Sequence, residues 1–318
     1  MSLLKRLKDK NIYMVSDSDL DGVSGTTVFE YYVRPIAENI IFYNTGDRTF
    51  PDFNWDFVES ADIVVFCDIA PPDIEFVERI QSTCELFIFD HHISSRINLG
   101  DFEGYTFDDT MCGAKILLQA LCPGRKKRSM TQFVELVNTY DTWQTENPLF
   151  KDARNLHNVL YGYVNWARAN TQTDYEKYLR FITMQLLKLH KYKNFFLTET
   201  EKGIAANAVQ KEKKNYAQAK KTLSFRTDNS NNTYAYFSCA SKLSWVCHLL
   251  LLENPQLDYI VSHSTYKKNT KLSLRSKGFD TTTITTKWGG GGHTQASGVE
   301  LKEQKDFDAF VANKKHLV

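Results

Sequence analysis

The stretch Glu85-Leu86-Phe87-Ile88-Phe89-Asp90-His91-His92 decides the fold class of this chain. Its apolar residues predict a short buried strand, which ends in one carboxylate followed by two imidazoles. Two other apolar runs end in the same way, since residues 11–16 lead into Asp17 and residues 62–67 lead into Asp68. Burial of an unpaired Asp or His is costly unless a cation compensates for it. The three endings therefore predict a site for divalent metal ions.

Strand-like and helix-like segments alternate through the first 145 residues. We predict strands at 12–15, 40–43, 63–67 and 86–89, and helices at 23–33, 71–81 and 113–121. This alternation favours an α/β domain in which helices cover both faces of a parallel sheet. Ligands of such sheets bind outside the carboxyl ends of the strands. The residues expected at that edge are Asp17, Asp19, Asp21, Asp68, Asp90, His91 and His92.

The pattern changes after the first sheet. Residues 131–193 are helical in period, and Asp141 lies near the end of the first of these helices. Residues 199–221 are charged and rich in Ala, which predicts a solvated helix between two domains. A smaller α/β unit follows, and its tetraglycine segment before His293 is predicted to be a flexible loop. The predicted domains are 1–195, a helical linker at 196–222, and 223–318.

Composition sets limits on the class of protein. The 318 residues are 42% hydrophobic and 13% aromatic, which excludes a disordered chain. The net charge of +1 means that affinity for nucleic acid would come from local patches. The six cysteines form no C-x-x-C pair and predict free thiols in a reducing compartment. Without a signal peptide or an apolar run of membrane-spanning length, we expect a soluble, cytoplasmic protein.

The acidic residues suggest a pair of ions. Asp17, Asp19 and Asp21 alternate, and Asp68, Asp141 and His91 add further ligands. This set carries more negative charge than one ion needs, which favours two ions bridged by a shared Asp and a hydroxide. Mn²⁺ accepts oxygen and imidazole ligands, and two ions about 3.5–4 Å apart promote phosphoryl transfer. A calcium loop is the other interpretation of the alternating acids, but no Glu follows at the EF-hand spacing.

The C-terminal part of the chain offers groups that bind anions. Four glycines at 289–292 allow backbone amides to approach a phosphate closely. His293 adds a donor, and Arg275, which ends a predicted strand, can bind a phosphate through two parallel hydrogen bonds. A glycine run is often only a linker, but its setting favours a binding loop.

Five motifs follow one another along the chain: Asp-x-Asp-x-Asp-Gly from Asp17, Asp68, Asp90-His91-His92, Asp141 and Gly-Gly-Gly-Gly-His. This ordered set resembles that of the DHH phosphoesterases with a DHHA1 C-terminal domain. The RecJ-like exonucleases and the short oligoribonucleases (nanoRNases) are the most similar members by motif. The resemblance covers residues 12–300. It implies a metal-binding catalytic domain followed by a substrate-binding domain.

The resemblance also implies a role for each motif residue. Asp17 and Asp19 would hold one ion, Asp21, His91 and Asp141 the other, and Asp68 would bridge the two. His92 would contact the scissile phosphate, and Asp90 would orient the histidines. Many members carry a histidine in the first motif where Asp17 or Val15 stands here, so metal preference is expected to differ. The implied substrate-binding residues are Arg275, Ser276, Gly290, Gly291, Gly292 and His293.

The implied activity is a manganese-dependent phosphodiesterase that cleaves short oligonucleotides or single-stranded nucleic acid to nucleoside monophosphates by attack of a metal-bound hydroxide. Mg²⁺ or Co²⁺ are the alternative ions. The alternatives left open are a RecJ-like 5′→3′ single-strand DNA exonuclease, a dinucleotide phosphodiesterase, an inorganic pyrophosphatase and a non-catalytic nucleic-acid-binding protein. Membrane association is not expected, and the oligomeric state, a dimer included, stays open.

Overall fold

The computed structural model describes residues 2–46, 49–124, 126–167, 174–228, 230–238, 243–266 and 269–301. The chain forms two compact units, Met1–Ala206 and Asn207–Val318. The boundary falls inside one long helix, Glu199–Thr222. Each unit has its own sheet and its own core, and the two are described separately.

The first unit is built on a parallel sheet. Its strands, within the described residues, are β1 (Asn11–Ser16), β2 (Asn39–Asn44), β3 (Ile63–Cys67), β4 (Glu85–Asp90) and β5 (Tyr105–Phe107). They are ordered β2-β1-β3-β4-β5, and every neighbouring pair is parallel. Because all strands point the same way, their carboxyl ends meet at one edge of the sheet.

Helices cover both faces of this sheet. Those in the described part of the first unit are α1 (Leu3–Leu7), α2 (Leu20–Val33), α3 (Trp55–Ser60), α4 (Ile74–Gln81), α5 (Ile93–Leu99), α6 (Gly113–Leu121), α7 (Arg128–Asp141), α8 (Phe150–Ala167), α9 (Asp174–Lys191) and the start of α10 (Glu199–Thr222). Alternate residues of β3 point to opposite faces: Val65 joins the core under α2 and α6–α9, and Val64 joins the core under α3–α5. The interiors of β1, β3 and β4 are therefore apolar and buried, as expected for a sheet covered on both sides.

The second unit contains a mixed sheet. Its strands, within the described residues, are β6 (Ser224–Thr227), β7 (Thr233–Ser238), β8 (Tyr259–Tyr266), β9 (Asn269–Ser276), β10 (Gly291–His293) and β11 (Ala296–Leu301), in the order β10-β11-β9-β8-β7-β6. Only β7 and β8 pair in parallel among them. Helix α11 (Leu243–Glu253) packs on one face, and α12 (Thr282–Thr285) lies on the other.

The predicted fold class is confirmed: an α/β unit with a parallel sheet precedes a smaller α/β unit. One local prediction was wrong. The tetraglycine segment is not simply a flexible loop, because Gly291–His293 forms β10 and pairs antiparallel with β11. Glycine at 292 permits this, since its φ of 136° is in the region that side chains disfavour. Within the described residues, no helix combines the length and apolar composition that crossing a bilayer requires.

Candidate metal centre

Acidic side chains converge on one imidazole at the carboxyl edge of the first sheet. His91 Nε2 lies 3.2 Å from Asp68 Oδ1, 3.4 Å from Asp141 Oδ2 and 4.0 Å from Asp21 Oδ2. Asp68 follows β3, His91 follows β4, Asp21 lies in the first turn of α2, and Asp141 is the last residue of α7. Residues that are far apart in sequence thus share one buried cluster, as the motif order predicted.

Asp21 is held from behind by the start of α6. Its Oδ2 accepts a hydrogen bond from the amide of Gly113 at 2.6 Å, and its Oδ1 accepts one from the amide of Ala114 at 2.9 Å. The carboxylate is fully buried. The two amides at the start of α6 therefore orient this carboxylate.

Asp68 has an unusual backbone. Its φ is 61°, in the left-handed region that residues other than glycine seldom adopt. The amide of Asp68 donates a hydrogen bond to the carbonyl oxygen of Phe89 at 2.9 Å, which fixes the end of β3 beside the end of β4. Strained backbone of this kind is characteristic of functional sites. The turn presents the Asp68 carboxylate beside His91.

The cluster carries more negative charge than its own side chains neutralise. Burial, and then the charges of neighbouring carboxylates, raise the pKa of Asp68 and of Asp141 well above the usual value. Burial and the charge of Asp21 also raise the pKa of Asp19. Within the described residues, the buried Oδ2 atoms of Asp68 and Asp141 accept no hydrogen bond. Such atoms need a cation or a proton as partner.

The donor atoms suit a divalent cation. Asp21, His91 and Asp141 each offer one ligand atom within 4.8 Å of the others, and Asp68, Asp90 and His92 form a second such group. Carboxylate oxygen and imidazole nitrogen are donors for Mn²⁺ and similar ions. Burial and the neighbouring ring of His92 lower the pKa of His91, which favours the neutral imidazole that binds metal. The residues therefore fit a divalent metal centre.

Asp90 acts mainly as an anchor for the two histidines. Its Oδ1 accepts hydrogen bonds from the amides of His91 at 2.9 Å and His92 at 3.3 Å, and lies 2.7 Å from His92 Nδ1. Burial alone would raise the pKa of Asp90, but His92 and a hydrogen bond from Ser95 lower it below the usual value. An ionised Asp90 thus fixes the His92 ring, an arrangement that agrees with the orienting role the resemblance implies.

Asp17 and Asp19 stand at the start of the same edge. Asp19 is the N-cap of α2 and accepts hydrogen bonds from the amides of Asp21 at 2.9 Å and Gly22 at 3.2 Å. Asp17 Oδ1 accepts a hydrogen bond from the amide of Ser18 at 2.5 Å. The charges of both carboxylates raise the pKa of Asp68, so both lie near the cluster. Their assignment to a separate ion stays a prediction.

The sequence interpretation missed the residues that support these ligands. Asn44, at the end of β2, donates through Nδ2 to Ser16 Oγ at 2.6 Å and to the carbonyl oxygen of Asp17 at 3.4 Å. Asn138 Oδ1 accepts a hydrogen bond from the amide of Cys112 at 3.0 Å and so ties α7 to the start of α6. Asn44 also ends an apolar run, the same signal that identified the acids. Gly113 and Asn138 gave no such signal.

The predicted substrate-binding residues lie together in the second unit. Arg275 in β9 donates to the carbonyl oxygens of Leu274 at 2.8 Å and Ser297 at 3.4 Å, and to Ser244 Oγ at 3.2 Å. Ser276 Oγ donates to the carbonyl oxygen of Phe279 at 2.5 Å. These contacts hold the end of β9 beside β11, the strand with which the glycine segment pairs.

Two glycines of this segment, Gly290 and Gly292, are required by the space around them. A Cβ atom on Gly290 would lie 2.2 Å from the carbonyl oxygen of Gly298, and one on Gly292 would lie 2.5 Å from that of Ala296. Gly291 meets nothing within 4 Å. His293 pairs with Ala296 across the two strands. The segment is thus a narrow, closely packed ribbon.

Comparisons with known proteins agree with this fold. No family model matches the chain. The oligoribonuclease NrnB of Bacillus subtilis (strain 168) is 26% identical over 94% of this chain and 75% of its own length. The DHH domain of a member of the s1p family of ribosomal proteins has a TM-score of 0.65 at 13% identity, over 96% of this chain and 86% of that one.

RecJ of Thermus thermophilus, solved in complex with Mn²⁺, has a TM-score of 0.55 at 15% identity, over 98% of this chain and 52% of its own. At these identities, the two structural similarities are evidence for the fold alone. The chain is thus similar over most of its length to the Bacillus subtilis oligoribonuclease, and it shares its fold with a DHH-domain protein and with RecJ.

Proposed function

We propose that this chain is a manganese-dependent phosphodiesterase that hydrolyses short oligonucleotides to nucleoside monophosphates. The observation that carries the proposal is the contact of His91 Nε2 with Asp68 and Asp141 at 3.2 and 3.4 Å, beside buried carboxylate oxygens that accept no hydrogen bond from the described residues. The names of the relatives, an oligoribonuclease and a Mn²⁺-bound RecJ, support the reaction and the ion.

The acidic edge of the first unit would hold the metal. In this proposal Asp21, His91 and Asp141 would hold one ion, Asp17 and Asp19 would hold another, and Asp68 would serve both. When bound, divalent ions would supply Lewis acidity, which can activate a water and offset charge on the phosphodiester. The helix α6 amides hold Asp21 in place, which keeps one ligand preorganised before any ion arrives.

His92 would bind the phosphate beside the metal. Its Nδ1 lies 2.7 Å from Asp90 Oδ1, which sets the ring orientation. Nε2, on the far side of the ring, is then the atom that would donate a hydrogen bond to a phosphate oxygen. An N–H donor makes a strong hydrogen bond to an anionic phosphate oxygen. Asp90 is accordingly a positioning residue in this proposal.

The second unit would bind the nucleotide. Arg275 and Ser276 end β9, which pairs with β11, and the segment Gly290, Gly291, Gly292 and His293 contains β10, which pairs with the other side of β11. Arginine and closely packed backbone amides are effective ligands for phosphate. We therefore propose residues 1–195 as the catalytic domain, 196–222 as a linker and 223–318 as the substrate-binding domain.

The experiment is a product time-course with RNA and DNA oligomers of two to thirty nucleotides, labelled at either end, with Mn²⁺ or with EDTA. Monophosphates released fastest from two- to five-mers support the proposal. Full loss of turnover is expected for Asp68→Ala and for His91→Ala, and unchanged turnover in either would reject these roles.

The same assay separates the alternatives. Processive release from the 5′ end of long DNA would indicate a RecJ-like exonuclease, and cleavage confined to dimers would indicate a dinucleotide phosphodiesterase. Hydrolysis of pyrophosphate but of no oligomer would indicate a pyrophosphatase. Binding without cleavage under every metal condition would indicate a non-catalytic protein.

A further inference from the structure

An aromatic cluster lies directly beside the candidate metal centre. We define it by five rings on α7, α8 and the turn between them: Tyr140, Trp143, Phe150, His157 and Tyr161. Tyr140 stacks on His157 with ring centroids 4.1 Å apart and an interplanar angle of 27°. His157 in turn contacts Tyr161 at 4.8 Å. The rings form a continuous row rather than isolated contacts.

The row borders the acidic site at two points. Tyr140 immediately precedes Asp141, whose Oδ2 lies 3.4 Å from His91. At the other end, burial and then the charge of Asp19 raise the pKa of Tyr161 far above its usual value, so this phenol lies near the first acidic motif. Tyr140, Trp143, His157 and Tyr161 are only partly buried, whereas Phe150 is buried.

Trp143 occupies a backbone position that normally belongs to glycine. Helix α7 ends in a Schellman arrangement: the Trp143 amide donates to the carbonyl oxygen of Tyr140 at 3.1 Å, and the Gln144 amide donates to that of Thr139 at 3.0 Å. The residue after the C-cap in this motif is left-handed and usually Gly. Here it is Trp143, with φ of 54°, and left-handed backbone at a bulky residue is a true outlier.

The backbone at this position therefore does not explain the presence of tryptophan. Its indole ring must make contacts that glycine cannot make. Within the cluster it meets Tyr140 at 5.6 Å and Phe150 at 5.4 Å, with interplanar angles of 67° and 84°. Both contacts are edge-to-face, which hold the ring in one orientation. Strained residues at the rim of an active site are candidates for ligand contacts.

We propose that Trp143 stacks on a nucleobase of the substrate and so makes the first unit selective for phosphodiesters that carry a base beside the scissile bond. This inference rests on the proposed function and adds to it that the aromatic cluster binds a nucleobase of the substrate. Stacking tolerates every base, because each has a π-face. The site would thus prefer oligonucleotides over pyrophosphate without reading their sequence.

The test compares Trp143→Ala and Trp143→Gly with the wild type on two dinucleotides, one with 2-aminopurine next to the scissile phosphate and one abasic at that position. Gly is included because it suits the left-handed backbone and keeps the fold if Ala does not. We expect a rise in KM of about tenfold on the base-bearing substrate and no change on the abasic one. Quenching of 2-aminopurine on binding, measured in EDTA, should be lost as well.

The matched control is Trp166→Ala, at an exposed indole on α8 that lies against Arg180; it should leave both substrates and the quenching as in the wild type. Equal losses on the two substrates, or retained quenching in both Trp143 variants, would overturn stacking while leaving hydrolysis intact. A wild type that quenches the base but never cleaves it, with Mn²⁺ present, would instead reject the proposed function alone.

Discussion

Gly113 lies directly against Asp68, so that a Cβ atom at position 113 would fall 2.9 Å from the N, Cα and Cβ atoms of Asp68. The amide of the same glycine donates to Asp21 Oδ2 at 2.6 Å. One residue without a side chain thus brings the start of α6 close enough to position two carboxylates of the metal centre. The close approach requires glycine, because backbone atoms occupy the space that a methyl group needs.

The first prediction is that Gly113→Ala displaces Asp68 and weakens metal binding. Residues that orient metal ligands typically change affinity or activity about 10- to 100-fold when altered, and we expect a loss in that range for Mn²⁺ affinity by calorimetric titration. Gly203→Ala is the control, since a Cβ there meets nothing within 4 Å. In helix α10 it should stabilise the protein by about 0.5–1 kcal/mol. Equal Mn²⁺ affinity for Gly113→Ala and wild type would count against this packing.

The second prediction concerns the bond between Asp90 and His92. Asp90→Asn keeps the shape of the side chain but removes the charge that holds His92 Nδ1 at 2.7 Å. We expect kcat to fall about 100-fold while the number of bound ions stays the same. Steady-state kinetics with metal analysis on the same samples checks this. An unchanged kcat would show that the orientation of His92 does not matter to turnover.

The third prediction is that the metal-free protein loses stability as pH rises. Burial and neighbouring carboxylates raise the pKa of Asp68 and Asp141 in the folded protein. A raised native pKa favours folding below the unfolded value of about 3.9, and that contribution is lost as pH rises through the native value. Urea unfolding in EDTA should therefore give a free energy of unfolding that declines as pH rises above the unfolded value and through the raised native values of these two groups.

Two controls isolate the cause. Saturating Mn²⁺ should flatten the decline, because the ion then offsets the carboxylate charges, and Asp68→Asn should reduce it without metal. Asp90 works in the opposite sense: its pKa is lowered, so its contribution is present above the unfolded value and disappears only at lower pH. A metal-free slope that is identical in wild type and Asp68→Asn would contradict the prediction.

The fourth prediction is that Trp143→Gly is more stable than Trp143→Ala. The left-handed backbone at φ of 54° costs a residue with a Cβ about 1 kcal/mol relative to glycine, so the difference should be close to that value by urea unfolding. At Trp166, which lies in α8, the order should reverse, because glycine is a poor helix former. The same order at both positions would mean that the Schellman turn is not strained.

The sequence predicted the first sheet well and the second less well. In β3 and β4, continuous apolar runs followed by Asp68 and by Asp90 mark both the strand and the edge where the site lies. Periodicity did not predict β10, because Gly291, Gly292 and His293 have no apolar pattern. These residues form a strand because they pair with β11. Short elements such as α5 and β5 were also missed, because three to seven residues are too few to show a period.

For the candidate site, the convergence of the acidic residues was predictable from the sequence, and the residues that hold them in place were not. Asp21, Asp68, His91 and Asp141 stand out by residue type, and their order matched a family pattern. The roles of Gly113 and Asn138 depend on a backbone approach and on a hydrogen bond between α6 and α7. Such contacts arise only from tertiary packing, and no local sequence pattern indicates them.

The binding of Mn²⁺ to the wild type and to Asp68→Asn, measured by titration calorimetry alongside hydrolysis of a labelled RNA trimer, tests the central claim most directly. We expect two ions per wild-type chain, metal-dependent release of monophosphates, and the loss of both tight binding and turnover in the variant. A wild type that binds no Mn²⁺, or an Asp68→Asn variant that binds two ions and cleaves the trimer as fast as the wild type, would contradict it.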